Sequence, residues 1–217
     1  MKEGQPIVRP DRKGIMSSNL LEKLSARLES RDETLWFDGL SRIAGEWGFE
    51  TILFAALPRL CMRYEDAYIR STYPLIWRQK YTELRYAYID PVVAHCVTRS
   101  SPFVWTADDF KNSIQKNMFE EACMHGLRTG VALPSYGPGE GLSILCLVSD
   151  QKPNDVFRRD VELLLPRLAL LGDVAVDSAR KYVTAPEGRY FGERQMEIDN
   201  IGAKASLILQ HSRDRKR

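Results

Sequence analysis

The stretch from Tyr73 to Trp105 gathers residues that combine apolar bulk with a polar tip. Tyr73, Trp77 and Tyr81 recur at every fourth position, the spacing that places them on one face of a helix. Asp90 follows, immediately before Pro91, and Trp105 lies further on. Turned toward a cavity, three aromatic rings and one acid would supply apolar walls, O–H and N–H donors and one anionic acceptor. That set suits a small molecule with an amide N–H, neighbouring carbonyls and an aliphatic tail. It suits a phosphate or a nucleic-acid base poorly, since neither a basic cluster nor a glycine-rich phosphate loop accompanies it. A plainer account fits the same residues. Aromatic stripes are usually core, and Asp-Pro usually caps a helix or turns the chain. Patterning leaves both open.

Other chemistries find less support. Cys61, Cys96, Cys123 and Cys146 are widely spaced, with no CxxC pair, so neither a zinc site nor a disulfide framework is expected. The three histidines are His95, His125 and His211. His95 adjoins Cys96, but neighbouring side chains diverge in helix and strand alike, so no Cys/His catalytic pair is expected. There is no His-rich metal motif and no serine nucleophile elbow. The expectation is a protein that is not an enzyme and holds neither metal nor cofactor.

The elements that must position these residues can be read from periodicity. Leu20, Leu21, Leu24 and Leu28 share a helical face, with Ser18 or Asn19 as cap. Asp32 opens a second helix, striped by Trp36, Leu40, Ile43, Ala44 and Trp47 and ended by Gly48. Thr51 to Leu57 reads as a buried strand and Ala67 to Ser71 as a second. Helices follow from Pro74 through Tyr81 and from Pro91. Pro102 to Trp105 is a brief strand, and Asn112 to Met124 a helix with Gly126 as its C-terminal signal. Val131 to Tyr136 and Leu142 to Ser149 read as strands joined by a turn through Gly137, Pro138, Gly139 and Gly141. A long helix runs from Asp155 to Val183, with Pro166 as a potential kink. This order fits an α/β (α+β) architecture: an α-β-α sandwich around a central, mostly antiparallel sheet, with a ligand cavity on one face.

The whole chain has 217 residues, 44% of them hydrophobic and 28% charged, an ordinary globular composition. Its net charge of +2 gives no global reason to expect nucleic acid or an acidic membrane as partner. With no long apolar run and a polar start, the chain reads as cytoplasmic. Three segments are expected: a flexible leader over residues 1–17, one ligand-binding domain over 18–183, and a basic-ended tail over 184–217 without a complete DNA-binding domain.

Taken in order, Tyr73, Trp77, Tyr81, Asp90-Pro91 and Trp105, then Gly126-Leu127-Arg128-Thr129-Gly130 and Pro134, resemble the autoinducer-binding domain of LuxR-type quorum-sensing regulators. The resemblance covers about residues 20–183. It implies a cavity for an N-acyl-homoserine lactone. By position, Trp77 would donate its indole N–H to the lactone carbonyl, Asp90 would accept the amide N–H, and Tyr73 would donate to the acyl carbonyl. Tyr81 and Trp105 would wall the head group. Cys146 falls near the acyl 3-position, where a thiol is a weak donor, so a 3-oxo preference is not implied. Pro91, Gly126 and Gly130 carry structural roles, Gly130 where close packing excludes a side chain.

Members of that family normally continue into a helix-turn-helix domain. Residues 184–217 show neither a three-helix pattern nor the Thr-x-Arg-Glu opening of that domain, and a recognition helix needs a hydrophobic platform behind it. Direct DNA binding is therefore not expected. The expected function is that of a truncated quorum-sensing regulator that sequesters lactone or forms mixed dimers with a full-length relative. Surplus apolar residues on the last long helix, Val174 and Val176 among them, fit a homodimer or such a heterodimer. The alternative is an orphan small-molecule or protein-interaction module of the same fold that binds no lactone.

Overall fold

The computed structural model describes residues 19–58, 62–137, 141–152 and 155–183. The expected leader and tail, Cys61, His211 and the turn at Pro138 and Gly139 lie outside the described residues. The chain divides into two compact units, Met1–Val183 and Thr184–Arg217, and all described residues belong to the first.

Two helices open the chain, α1 (Leu20–Leu28) and α2 (Glu33–Glu46). Asn19 takes the cap position of α1, but its side chain makes no capping hydrogen bond. Asp32 does cap α2: its Oδ1 accepts from the N–H groups of Thr34 and Leu35 at 2.8 and 2.9 Å, satisfying two of the orphan donors of the first turn. Gly48, at φ 90°, turns the chain out of α2 into β1 (Thr51–Leu57), a backbone geometry that favours glycine. Then come β2 (Tyr68–Ser71), α3 (Leu75–Glu83), α4 (Pro91–Cys96), β3 (Phe103–Trp105), α5 (Ser113–Met124), β4 (Thr129–Gly137), β5 (Gly141–Ser149) and α6 (Asp155–Ala179). Single 3-10 turns at Tyr64–Asp66 and Tyr86–Tyr88 precede β2 and α4.

The five strands form one sheet in the order β2-β1-β5-β4-β3, and every neighbouring pair is antiparallel. Strand side chains alternate between faces. Ile52, Phe54, Val131, Leu133, Leu145 and Leu147 therefore join α1, α2 and α6 in one core. Leu53, Ala132, Ile144, Cys146 and Val148 point the other way, toward α3, α4 and α5. The α-β-α sandwich and its antiparallel sheet are as the sequence implied.

Two element ends depart from the periodicity, and one strand residue, Pro134, is where expected but needs a reason. β4 begins at Thr129, two residues before the expected start, because Gly130 pairs with both Trp105 and Val148. Pro134 is tolerated in β4 because it lies past the end of the three-residue β3, where the strand has a single neighbour. α6 stops at Ala179 rather than Val183. There the N–H groups of Tyr182 and Val183 turn back onto the Ala179 carbonyl. That turn brings the Tyr182 ring to 5.6 Å from Trp36 and its hydroxyl to the Ser30 carbonyl.

Candidate ligand-binding site

The second face of the sheet does not close fully onto its helices. A cavity of about 220 Å³ remains between them. Tyr73, Trp77, Tyr81, Asp90, Trp105 and Cys146 all line it. The six residues singled out from the sequence thus lie together around one space.

Local structure explains each placement. Pro74 ends the extended segment after β2 and starts α3, as the residue preceding and opening a helix should. Tyr73 precedes it, held by a hydrogen bond from its N–H to Ser71 Oγ at 3.0 Å. One turn apart on α3, Trp77 and Tyr81 meet edge to face at 5.9 Å, and Tyr86 from the following turn packs against both. The same Trp77 ring meets His125, after α5, at 5.9 Å. Lys80 Nζ reaches Glu121 Oε1 at 2.6 Å beside it, so α3 and α5 are joined across one wall of the cavity.

Asp90 does both things its sequence position allowed. Its Oδ1 accepts from the Val92 N–H at 2.8 Å and so caps α4, with Pro91 at the first helical position. Its Oδ2 accepts from the Tyr81 hydroxyl at 2.8 Å. Burial pushes the carboxyl above its ordinary range, and the bonds from Tyr81 and from the Val92 and Val93 amides oppose that shift. Burial likewise raises the Tyr73 and Tyr81 hydroxyls well above their usual value, with the Asp90 charge adding to it. Both remain neutral O–H donors. Burial also raises the Cys146 thiol, which keeps it protonated and poorly nucleophilic.

Among the described residues, neither the Trp77 indole N–H nor the Tyr73 hydroxyl has a hydrogen-bond partner. Trp77 is only 4% exposed, and it and Tyr73 line the cavity. Trp105 sits over Gly130. A Cβ at position 130 would collide with the Leu147 carbonyl oxygen and stand 2.9 Å from Trp105 Cζ2. Gly126, at φ +80°, turns the chain from α5 toward β4. Among the described residues, the buried side-chain N and O atoms without a partner are Thr51 Oγ1, Arg78 Nε and Trp105 Nε1; Arg78 and Trp105 line the cavity, where an unmade bond in an apolar setting is costly.

Much of the wall was not singled out from the sequence. Phe110, Met118, Phe119 and Leu127 surround the Trp105 end. Odd-numbered positions of β1 and even-numbered positions of β5 form the floor. The alternation within Thr51–Leu57 was the available signal, but nothing in it told which face would be left open. No group of three or more metal-capable side chains occurs among the described residues. None of the described helices is long and apolar enough to cross a membrane.

A sheet with helices on both faces and a buried, donor-rich cavity on one of them defines a small-molecule sensing domain. The family described as "Autoinducer binding domain" matches residues 32–179, and the chain belongs to that family. It is 32% identical over 138 residues to transcriptional activator protein VanR of Vibrio anguillarum, covering 61% of this chain and 55% of that one. It is 31% identical over 112 residues to transcriptional activator protein AnoR of Acinetobacter nosocomialis, covering 52% and 47%. The chain spans about half the length of these curated relatives. Among solved structures it resembles the N-acylhomoserine lactone dependent LuxR-family factor CepR2 from Burkholderia cenocepacia. That likeness has a TM-score of 0.63 and 23% identity, over 74% of this chain and 94% of the other. It also resembles SdiA in complex with octanoyl-rac-glycerol, with a TM-score of 0.66 and 18% identity, over 89% and 81%. At these identities the two structures establish the fold.

Proposed function

We propose that residues 18–183 bind an N-acyl-homoserine lactone in this cavity, as the sensing part of a quorum-sensing transcriptional regulator. The observation that carries the reading is that the Asp90 carboxyl, the Trp77 indole and the Tyr73 hydroxyl line one apolar cavity together with Trp105, whose buried Nε1 has no partner. A lactone would satisfy the first three. Asp90 accepts the amide N–H, Trp77 donates to the lactone carbonyl, and Tyr73 donates to the acyl carbonyl. Tyr81 holds Asp90 in place through its 2.8 Å bond and, with Trp105, walls the ring. Cys146 stands beside the start of the acyl chain. The protein supplies binding and orientation only; it is not an enzyme and needs neither metal nor cofactor.

Output follows from ligand occupancy, in the cytoplasm, through sequestration of lactone or through dimers, either of this chain or mixed with a full-length relative. Val174 and Val176, expected to be surplus, pack in the core instead; Leu163 on α6, 57% exposed, is the apolar residue there that is left to support a protein partner. Direct reading of DNA by this chain is not part of the proposal.

Thermal unfolding with a panel of N-acyl-homoserine lactones tests the reading. Because ligand binds the native state alone, a rise of the melting temperature with lactone concentration is expected. A folded sample that no lactone stabilises would refute it and favour an interaction module. Octanoyl glycerol in the same panel tests whether the lactone ring is required. Gel filtration of the liganded chain, alone and with a full-length relative, tests the dimers; monomer in both cases would refute them.

A further inference from the structure

We infer that the site selects a long acyl chain, on the order of ten carbon–carbon bonds, and that Ala55 is the residue that leaves room for it. The inference rests on the lactone reading above and adds the chain-length class. It comes from sheet register.

The two ends of the cavity differ in kind. Around Trp105 the walls are Phe110, Phe119 and Met118, large groups that fit a compact ring. Away from Trp105 and the polar cluster the lining is mostly aliphatic and small, with Ala67, Ala87, Val93 and Val97, and Tyr64 is its one large ring. Between the ends, β1 and β5 form a floor of three cross-strand rows, Leu53–Cys146, Ala55–Ile144 and Leu57–Leu142. All six of these residues line the cavity. The first row lies at the polar cluster, because Leu53 pairs with Ser71, whose Oγ accepts the Tyr73 N–H at 3.0 Å. An acyl carbonyl held by Tyr73 therefore starts its chain at the first row.

From the first row to the third is four residues along each strand, about 13 Å. An extended chain of tetrahedral carbons advances roughly 1.2 Å per bond, as the backbone dimensions show. The track thus accepts on the order of ten bonds between Cys146 and Leu142. Its middle row holds the smallest floor residue, Ala55. Ala55 lies between Ile144 on one neighbouring strand and Ile69 on the other, and both flanking side chains line the cavity. A larger residue at position 55 would fill the row and stop the chain there.

The experiment measures Kd of the full chain for saturated N-acyl-L-homoserine lactones from butanoyl to tetradecanoyl. Wild type should gain roughly fourfold in affinity per added methylene up to about the decanoyl compound and then level. The Ala55→Leu variant should shift its optimum to butanoyl or hexanoyl, with decanoyl binding weakened at least tenfold. Leu142→Ala, at the far row, should instead favour chains longer than the wild-type optimum, and it keeps the test open should Ala55→Leu not fold. An optimum at butanoyl or hexanoyl in wild type, or an unchanged optimum in both folded variants, would overturn the inference while the lactone reading stood. Stabilisation by no lactone at all would remove the reading and the inference together.

Discussion

Replacing Asp90 by Asn changes one oxygen to an amide nitrogen and leaves the side-chain shape intact. In the empty chain the carboxylate accepts two hydrogen bonds, from Val92 N–H and from the Tyr81 hydroxyl, both at 2.8 Å. Asn can keep the first through its Oδ1, and Asn caps helices as well as Asp does. It loses the charge assistance of the second but also removes a charge from an apolar cavity. These opposing effects should leave the stability of the empty chain within about 1 kcal/mol, or roughly 2–4 °C in melting temperature. Lactone binding should respond quite differently. The amide N–H of the ligand would meet an N–H donor or compete for the single remaining oxygen. Loss of a hydrogen bond to a charged group, about 1.5–3 kcal/mol, is roughly a ten- to hundredfold loss of affinity. Isothermal titration with one lactone, beside thermal scans of both empty proteins, reads the two quantities separately. Unchanged affinity in a folded variant would refute the assignment of Asp90 to the ligand amide. Collapse of the variant would show instead that the charged bond from the Tyr81 hydroxyl holds the fold.

The raised pKa of Asp90 has a sign that can be checked. The native state holds this proton more tightly than the unfolded chain does, so the contribution is fully present below the unfolded value of 3.8. It is lost as pH rises through the folded value. The wild-type minus Asp90→Asn difference in unfolding free energy should therefore decline across that window in urea titrations; a rise would contradict it. Trp77→Phe keeps an aromatic ring against Tyr81, Tyr86 and His125 but removes the indole donor. Lactone affinity should drop roughly two- to tenfold, and an unchanged Kd would exclude Trp77 as a donor. Gly130→Ala drives a methyl group into the Leu147 carbonyl and the Trp105 ring. It should cost about 2 kcal/mol or more, read as a lower urea midpoint, and an unchanged midpoint would show that the ring can move aside.

The helices and strands were legible because their stop and start signals are local. Asp32, Gly48, Pro74, Pro91, Asn112 and Gly126 each act within a turn of their own position, and each stands at or beside an element end in the structure. Ends set by tertiary contact were not legible. Tyr182 leaves α6 to pack on Trp36 from the far end of the sequence, and Gly130 becomes a strand residue because two neighbours pair with it. The same division holds for the cavity. Trp77 and Tyr81 declare a shared helical face through their spacing and Asp90 declares a cap, whereas Tyr73, expected on the same face, stands before α3 and reaches the cavity from the extended segment ahead of Pro74. The floor of Leu53, Ala55, Ile144 and Cys146 is ordinary strand sequence, and its exposure to a cavity depends on where α3, α4 and α5 come to rest. Trp105 and Cys146 could be placed near the others only through the family resemblance.

Alternation along β1 and β5 has a consequence for how such a sensor can diverge. Positions 53 and 55 line the cavity, while 52 and 54 are buried at 1% and 0% exposure in the core on the far side of the same strand. Substitutions that retune which signal is heard can accumulate at one parity while the other parity holds the sandwich together. A lineage can therefore drift from one signalling molecule to another through single replacements on the cavity side, leaving the core on the other side of the sheet unchanged.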